Sequence, residues 1–300
     1  MSKPLLAAVI PITRMAGKLG NLRKTLLLAA QQDIQVILVH DVADSETSHQ
    51  LNEMIKEIQK LNFHLIEEVF GNPGDARNAG LQFASREWIA FWDSDDLPHV
   101  EEFSLMVEKA SATGADVAIG GIETCYFGSE SKRKTFPAFP IQSRTSIFQL
   151  AQMPAFTRMA FRNFSQGIMK FPPLSMGEDV VFLARSRFLE RKIYTHSSTV
   201  YLYVLNFPGQ LTSNTSKLNQ VSEIWDYLYK ESGTAVGVMQ TYITFQMIRN
   251  QLVTLKQSHK LPVNVIKFNL LQFTMNPILM SAAHLHILKN QNLLERKAKN

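Results

Sequence analysis

Apolar residues fall along this chain in two rhythms. Residues 5–10 form an unbroken apolar run closed by Pro11, which predicts a buried strand, and residues 19–32 carry leucines and alanines at helical spacing. The alternation continues with a strand at 36–39 and an amphipathic helix at 47–61, whose Leu51, Met54, Ile55 and Ile58 share one face. A third strand begins at 63–66. A Gly/Pro loop at 71–74 leads into a helix through 84, followed by a strand at 88–92, a helix at 100–113 and a strand at 117–119. Strands separated by helices of this length imply right-handed crossovers, hence an α/β body with a mostly parallel central sheet between two helical layers. Ligands of such sheets bind beyond the carboxyl ends of the strands.

Residues 127–140 break the rhythm with a polar, basic stretch containing Lys132, Arg133 and Lys134, which predicts a loop. Mixed strand and helix signals return over 148–205, with 179–189 the clearest helix. Beyond Pro208 the pattern becomes helical at 218–229, 234–255 and 263–288, rich in Leu, Ile, Met and Phe. These changes divide the chain into a body, 1–210, and a helical C-terminal extension, 211–300. Helices this apolar must bury a face on the body, against a second copy of the chain, or in a membrane interface, and the first two are expected. The end of the chain, with Lys289, Arg296, Lys297 and Lys299, suits anionic lipid headgroups.

Composition narrows the class. With 300 residues, 45% hydrophobic and 19% charged, the chain has ample apolar surface for a core and does not read as disordered. A formal charge of +5 suits anionic substrates or proximity to anionic lipid, and equally a solvated surface. No motif points to nucleic acid. Cys125 is the single cysteine, so an internal disulfide is excluded and a reducing compartment is expected. The run at 5–10 is too short for a secretory core, and no apolar run approaches the roughly 20 residues of a spanning helix. The expected location is cytoplasmic, with peripheral contact at the inner face of the membrane.

Three clusters carry candidate chemistry. Asp93-Ser94-Asp95-Asp96 follows the strand at 88–92 directly; carboxylates this close repel unless a cation is present, and hard oxygen ligands suit Mg²⁺ or Mn²⁺. A solvated turn explains the same residues. In the stretch from Gly71 to Leu81, Gly74 and Asp75 can open a helix while Arg77 presents a fork suited to phosphate or a planar base; a capped helix with a surface ion pair is the plainer account. Glu178 and Asp179, after Gly177, open the predicted helix at 179–189. They serve either as helix-terminal charges or as a base for an acceptor hydroxyl. The eight histidines form no zinc spacing, and Cys125 reads as a small core residue. Phe156, Phe161, Phe164 and Phe171 read as packing.

The order of these clusters resembles the family 2 glycosyltransferases of the GT-A fold. The matching pieces are Val9-Ile10-Pro11, Val39-His40-Asp41, Ala76-Arg77-Asn78-Ala79-Gly80, Asp93-Ser94-Asp95-Asp96 and Gly177-Glu178-Asp179, with Tyr201-Leu202-Tyr203 and Pro208-Gly209 as a further echo. The resemblance covers roughly residues 5–215. It implies a GT-A-like three-layer sandwich and an inverting transfer from a nucleotide-sugar donor, UDP-linked by preference, to a glycan or lipid-linked acceptor in surface polysaccharide biosynthesis. It further implies that Pro11, Thr13, Asp41, Arg77 and Asp93 contact the donor, Asp41 at the base and Arg77 at the base or phosphates. Asp95 and Asp96 would hold Mn²⁺ or Mg²⁺. Asp179, with Glu178 as second candidate, would be the catalytic base.

The sequence departs from the family pattern at His40, Val42-Ala43, Thr13-Arg14 and Gln210. The first three fall in the nucleotide pocket. Two other enzyme classes share the fold type: a sugar-nucleotide nucleotidyltransferase, which wants a Gly-rich basic loop after the first strand, and a dinucleotide-binding oxidoreductase, which wants Gly-x-Gly-x-x-Gly there. Residues 11–17 hold only one glycine. A catalytically degenerate sugar-binding or scaffold relative is the remaining alternative.

Overall fold

The computed structural model describes residues 5–42, 45–58, 62–141, 147, 150, 155–163, 170–208 and 221–258. It divides into two compact units, residues Met1–Ile141 with Ala155–Ser213, and residues Gln142–Pro154 with Asn214–Asn300.

The first unit is built on strands whose apolar runs are buried on both faces. β1 (Leu6–Ile12), β2 (Gln35–Asp41) and β4 (Trp88–Phe91) lie almost wholly in the core. With β3 (Phe63–Glu68) they form a parallel set ordered β3-β2-β1-β4. The crossovers are α1 (Gly20–Gln31), α2 (Ser45–Glu57) and α3 (Pro73–Leu81). Continuous apolar strands are what a sheet covered by helices on both sides requires.

The sheet continues through β8 (Met159–Arg162), β6 (Val117–Tyr126), β9 (Ile193–Leu205) and the short β5 (Leu97–Pro98), giving nine strands among the described residues with β7 (Ser129–Phe136) paired on β6. β8 is antiparallel to both β4 and β6, so β6 runs in the same direction as β4, and β9 is parallel to β6. β1, β2, β3, β4, β6 and β9 therefore end at one edge. α4 (Val100–Ala112) joins β5 to β6, and α5 (Glu178–Ser186) precedes β9. The result is the mostly parallel GT-A-like α/β sandwich that the sequence implies.

Several boundaries differ from expectation. β1 runs through Pro11, which stands opposite Val39 without ending the strand. β6 extends to Tyr126 rather than stopping at 119 because its second half pairs with β7 and β9. The basic stretch predicted as a loop is β7. It lacks alternating apolar residues because its described side chains are exposed up to Thr135, and backbone pairing to β6 alone makes it a strand. The helix at 179–189 closes at Ser186, where Arg187 turns left-handed at φ 52°. Phe156, Phe161 and Phe171 join Phe91 and Phe182 in one buried aromatic cluster, with Phe171 stacked on Phe182 at 4.2 Å. Cys125 is buried; Phe164 lies outside the described residues.

In the second unit α6 (Val221–Ser232) packs on α7 (Gly237–Ser258), and Met239, Tyr242 and Ile243 are buried. The helix expected at 263–288 lies outside the described residues. Among the described residues no helix is long and apolar enough to cross a membrane.

Candidate active site

Three helices and one strand converge on the turn that follows β4. Asn72 caps α3, its side-chain oxygen accepting the Asp75 N–H at 2.8 Å, and Pro73 occupies the first turn. Gly80 lets this helix lie on the sheet: a Cβ there would meet Val9 Cγ1 at 2.5 Å and Val39 Cγ2 at 2.9 Å. Asn78 adds a reciprocal pair of bonds with the Phe171 backbone at 2.8 and 3.0 Å. Together these contacts fix where Arg77 points.

Arg77 is 4% exposed and bridges two elements. One guanidinium nitrogen donates to Asp93 Oδ1 at 2.7 Å and another to Glu178 Oε1 at 2.7 Å, while the group lies 4.9 Å from the Phe156 ring centre and 5.5 Å from that of Phe171. Burial disfavours its charge, but the carboxylates of Asp93 and Glu178 outweigh that and raise its pKa. Glu178 is pushed up to about 7 by burial, with Arg77 opposing and the Asp179 charge adding to the rise. Both carboxylates occupy the first turn of α5, and the N-cap is Gly177, left-handed at φ 79°, with no side-chain cap bond. A left-handed backbone here favours glycine. Glu178 and Asp179 follow it as first-turn carboxylates, placed where the helix dipole favours negative charge.

The acidic turn is held from the far side by β9. The Tyr201 hydroxyl accepts the Asp93 N–H at 3.0 Å, and Asp96 Oδ1 accepts the Val204 N–H at 2.8 Å. Asn21 of α1 donates to the Asp95 carbonyl at 2.9 Å. Asp96 is 1% exposed, and its Oδ2 is buried without a hydrogen-bond partner. Burial, then the charges of Asp95 and Asp93, drive its pKa well above the usual carboxylate range against the Val204 N–H and the Tyr201 phenol. The phenols of Tyr201 and Tyr203 are raised as well, first by burial and then by the charges of Asp96 and Asp93.

A deficit of positive charge beside Asp96, with an orphaned buried oxygen, is what a hard divalent cation would fill. Among the described residues no three Asp, Glu, His or Cys side chains converge as a ready metal cage. A pair of carboxylates fits an ion that completes its shell with water and substrate phosphates.

Asp93, Arg77 and Glu178 thus form one bonded cluster, with Asp95, Asp96 and Asp179 alongside it. Pro11 and the exposed Thr13 stand at the end of β1, and Asp41 at the end of β2, the next two strands along the same edge. Sequence reasoning gave no role to Tyr201, Val204, Asn21 or His40. His40 is buried at the end of β2, its Nδ1 3.3 Å from Ser48 Oγ and 3.4 Å from Glu67 Oε1. A signal existed for the tyrosines: Tyr201 and Tyr203 are two apart in a strand and so share a face. The Val204 contact is a backbone bond and carries no residue signature.

A sheet wound in this order, with an acidic turn after the fourth strand, defines the GT-A class of glycosyltransferase fold. Residues 9–185 match the glycosyl transferase family 2 model, and the chain belongs to that family. It is similar to the succinoglycan biosynthesis protein ExoO of Rhizobium meliloti, 31% identical over 147 residues, covering 44% of this chain and 41% of that protein. An uncharacterized glycosyltransferase of Haemophilus influenzae is 21% identical over 246 residues, covering 82% of this chain and 95% of that protein. Among solved structures, S. aureus TarS 1–349 in complex with UDP-GlcNAc superposes with a TM-score of 0.62 at 16% identity, covering 87% of this chain and 77% of TarS 1–349. The mannosyltransferase PcManGT of Pyrobaculum calidifontis, in complex with GDP-Man and Mn²⁺, gives 0.59 at 10% identity, covering 97% and 88%. Likeness at these identities is a likeness of fold.

Proposed function

We propose that this chain is an inverting, metal-assisted glycosyltransferase of surface polysaccharide biosynthesis that moves a sugar from a UDP-sugar to a hydroxyl of a glycan or lipid-linked acceptor. The observation that carries this reading is the joining of the Asp93–Asp96 turn to the Glu178-Asp179 turn through Arg77, which puts a cation-seeking carboxylate set next to a candidate base. Asp95 and Asp96 would hold Mn²⁺ or Mg²⁺, which when bound neutralises charge on the departing diphosphate. Pro11, Thr13 and Asp41 would line the nucleotide side at the ends of β1 and β2, and Asp93 would meet the donor at its ribose or diphosphate. Arg77, with two guanidinium nitrogens on carboxylates, acts on the donor through Asp93. Asp179 would accept the acceptor's proton while the acceptor oxygen bonds to the anomeric carbon, the carbon–oxygen bond to the diphosphate breaks and UDP leaves. Attack from the opposite face inverts the anomeric centre.

A role in polysaccharide assembly and a UDP-linked donor draw on the similarity to ExoO and on TarS, whose complex holds UDP-GlcNAc. PcManGT, holding GDP-Man, keeps the base open to test. The uracil imide N–H, which cytosine lacks, is the donor Asp41 would read. Thermal stabilisation by UDP, GDP and CDP with Mn²⁺ distinguishes them: UDP is expected to stabilise most. Equal shifts would remove the basis for UDP.

A further inference from the structure

The sheet face that carries Tyr201 and Tyr203 does not stop at the carboxylates. In the β6–β9 register Ile122 stands opposite Tyr201 and Thr124 opposite Tyr203. In the β6–β7 register Ile122 stands opposite Phe136 and Thr124 opposite Lys134. Residues directly opposite share a face, so two rungs cross the sheet, Tyr201–Ile122–Phe136 and Tyr203–Thr124–Lys134. The far face is identified independently: Glu123 there accepts from Arg133 at 3.1 Å and from Thr135 at 3.4 Å. Alternation then returns Lys132 to the face of Lys134. Lys134 Nζ lies 4.8 Å from the ring centre of Phe136 on the same face.

One end of this face is the catalytic turn, since Tyr201 holds the Asp93 N–H and Tyr203 lies within the fields of Asp96, Asp93, Asp95 and Asp179. The other end is exposed: Tyr126 is 36% accessible, and Lys132 and Lys134 are exposed with no ion pair to any described residue. The donor elements, β1 and β2, lie on the opposite side of β4. A face that starts beside the candidate base and ends in two cations, away from the donor strands, fits the second substrate.

We propose that the face formed by Tyr203, Lys134 and Lys132, with the buried Thr124 as its floor, is the acceptor site, and that the acceptor it takes carries phosphate. The inference rests on the glycosyltransferase reading. The half-buried Tyr203 near the carboxylates positions the sugar, and the lysines hold an anionic group further along.

The test uses the full-length protein with UDP and Mn²⁺ present, so that the donor site is filled. A fluorescent oligo(glycerol phosphate) and an uncharged malto-oligosaccharide of equal length serve as probes for fluorescence polarisation. The phosphate probe is expected to bind more tightly, with affinity falling as salt rises. Lys132→Glu with Lys134→Glu should weaken it by about tenfold or more, and the milder double alanine variant by less. UDP affinity, measured separately, reports the donor site, so its absence in the wild type would overturn the enzyme reading rather than the acceptor site. Equal binding of the two probes, or a double variant that binds the phosphate probe like wild type, would overturn the proposal. So would loss of binding to phosphatidylglycerol vesicles alone, with the oligomer still bound, because the lysines would then serve a lipid surface.

Discussion

The two sides of the sheet are built on different principles. On the proposed donor side, β1, β2 and β4 are apolar between their ends, buried on both faces, and joined by helices. Their polar groups appear only where the strands end. On the other side, β6, β7 and β9 place polar residues along the strands themselves: Tyr201, Tyr203, Thr124, Glu123 and Lys134 sit within paired register. The first side makes a rigid shelf with chemistry at its rim. The second makes a working surface whose interior residues reach the site, Tyr201 and Val204 gripping the acidic turn from across the sheet.

The sharpest way to test this division is at the residue that neither side supplies through a strand. Asp179→Asn keeps the shape but cannot take a proton. Transfer is expected to fall by roughly 10²- to 10⁴-fold, while UDP affinity by calorimetry stays near wild type. Undiminished transfer in Asp179→Asn with collapse in Glu178→Gln would exchange their roles. Glu178 also predicts a pH effect. Its carboxyl is raised from 4.5 to about 7, so its stabilising contribution is fully present below pH 4.5 and lost as pH rises through about 7. The wild-type Tm should fall across that window relative to Glu178→Gln; parallel Tm curves would contradict the assignment.

Asp95→Ala and Asp96→Ala test the grip on the turn, each with an expected loss on the order of 10²-fold in rate. Mn²⁺ affinity should fall with it; unaltered activity and affinity in Asp96→Ala would remove Asp96 from the cation site. Arg77→Ala probes the bridge by thermal or denaturant unfolding. Stranding Asp93 and Glu178 beside a vacated cation should cost about 3–5 kcal/mol, and Arg77→Lys, unable to fork to both, should not restore it. The smallest effect is expected on the donor shelf. Gly80→Ala forces a methyl against Val9 and Val39 and should destabilise by roughly 1–3 kcal/mol. A neutral result would mean that α3 is free to shift.

The same division explains what the sequence made legible. The donor side could be read because buried parallel strands are continuous apolar runs between helices, and its boundaries shifted by only a few residues. The acidic turn and the Glu178-Asp179 pair stood out as clustered carboxylates at element ends. β7 was not legible, since Lys132-Arg133-Lys134 has no apolar alternation and becomes a strand only by pairing with β6. Nor was the bridge of Arg77 to Glu178, 101 residues apart, because such an ion pair leaves no local pattern. The basic stretch that looked like a loop is the strand that carries the proposed acceptor lysines.

The central claim is donor turnover at this carboxylate cluster. The most direct measurement is nucleotide release from a panel of UDP-, GDP- and CDP-sugars, with Mn²⁺ and with excess EDTA. Release of UDP from a UDP-sugar that requires Mn²⁺ and is lost in Asp95→Ala is the predicted result. No nucleotide released from any donor, or release unaffected by EDTA and by Asp95→Ala, would contradict it.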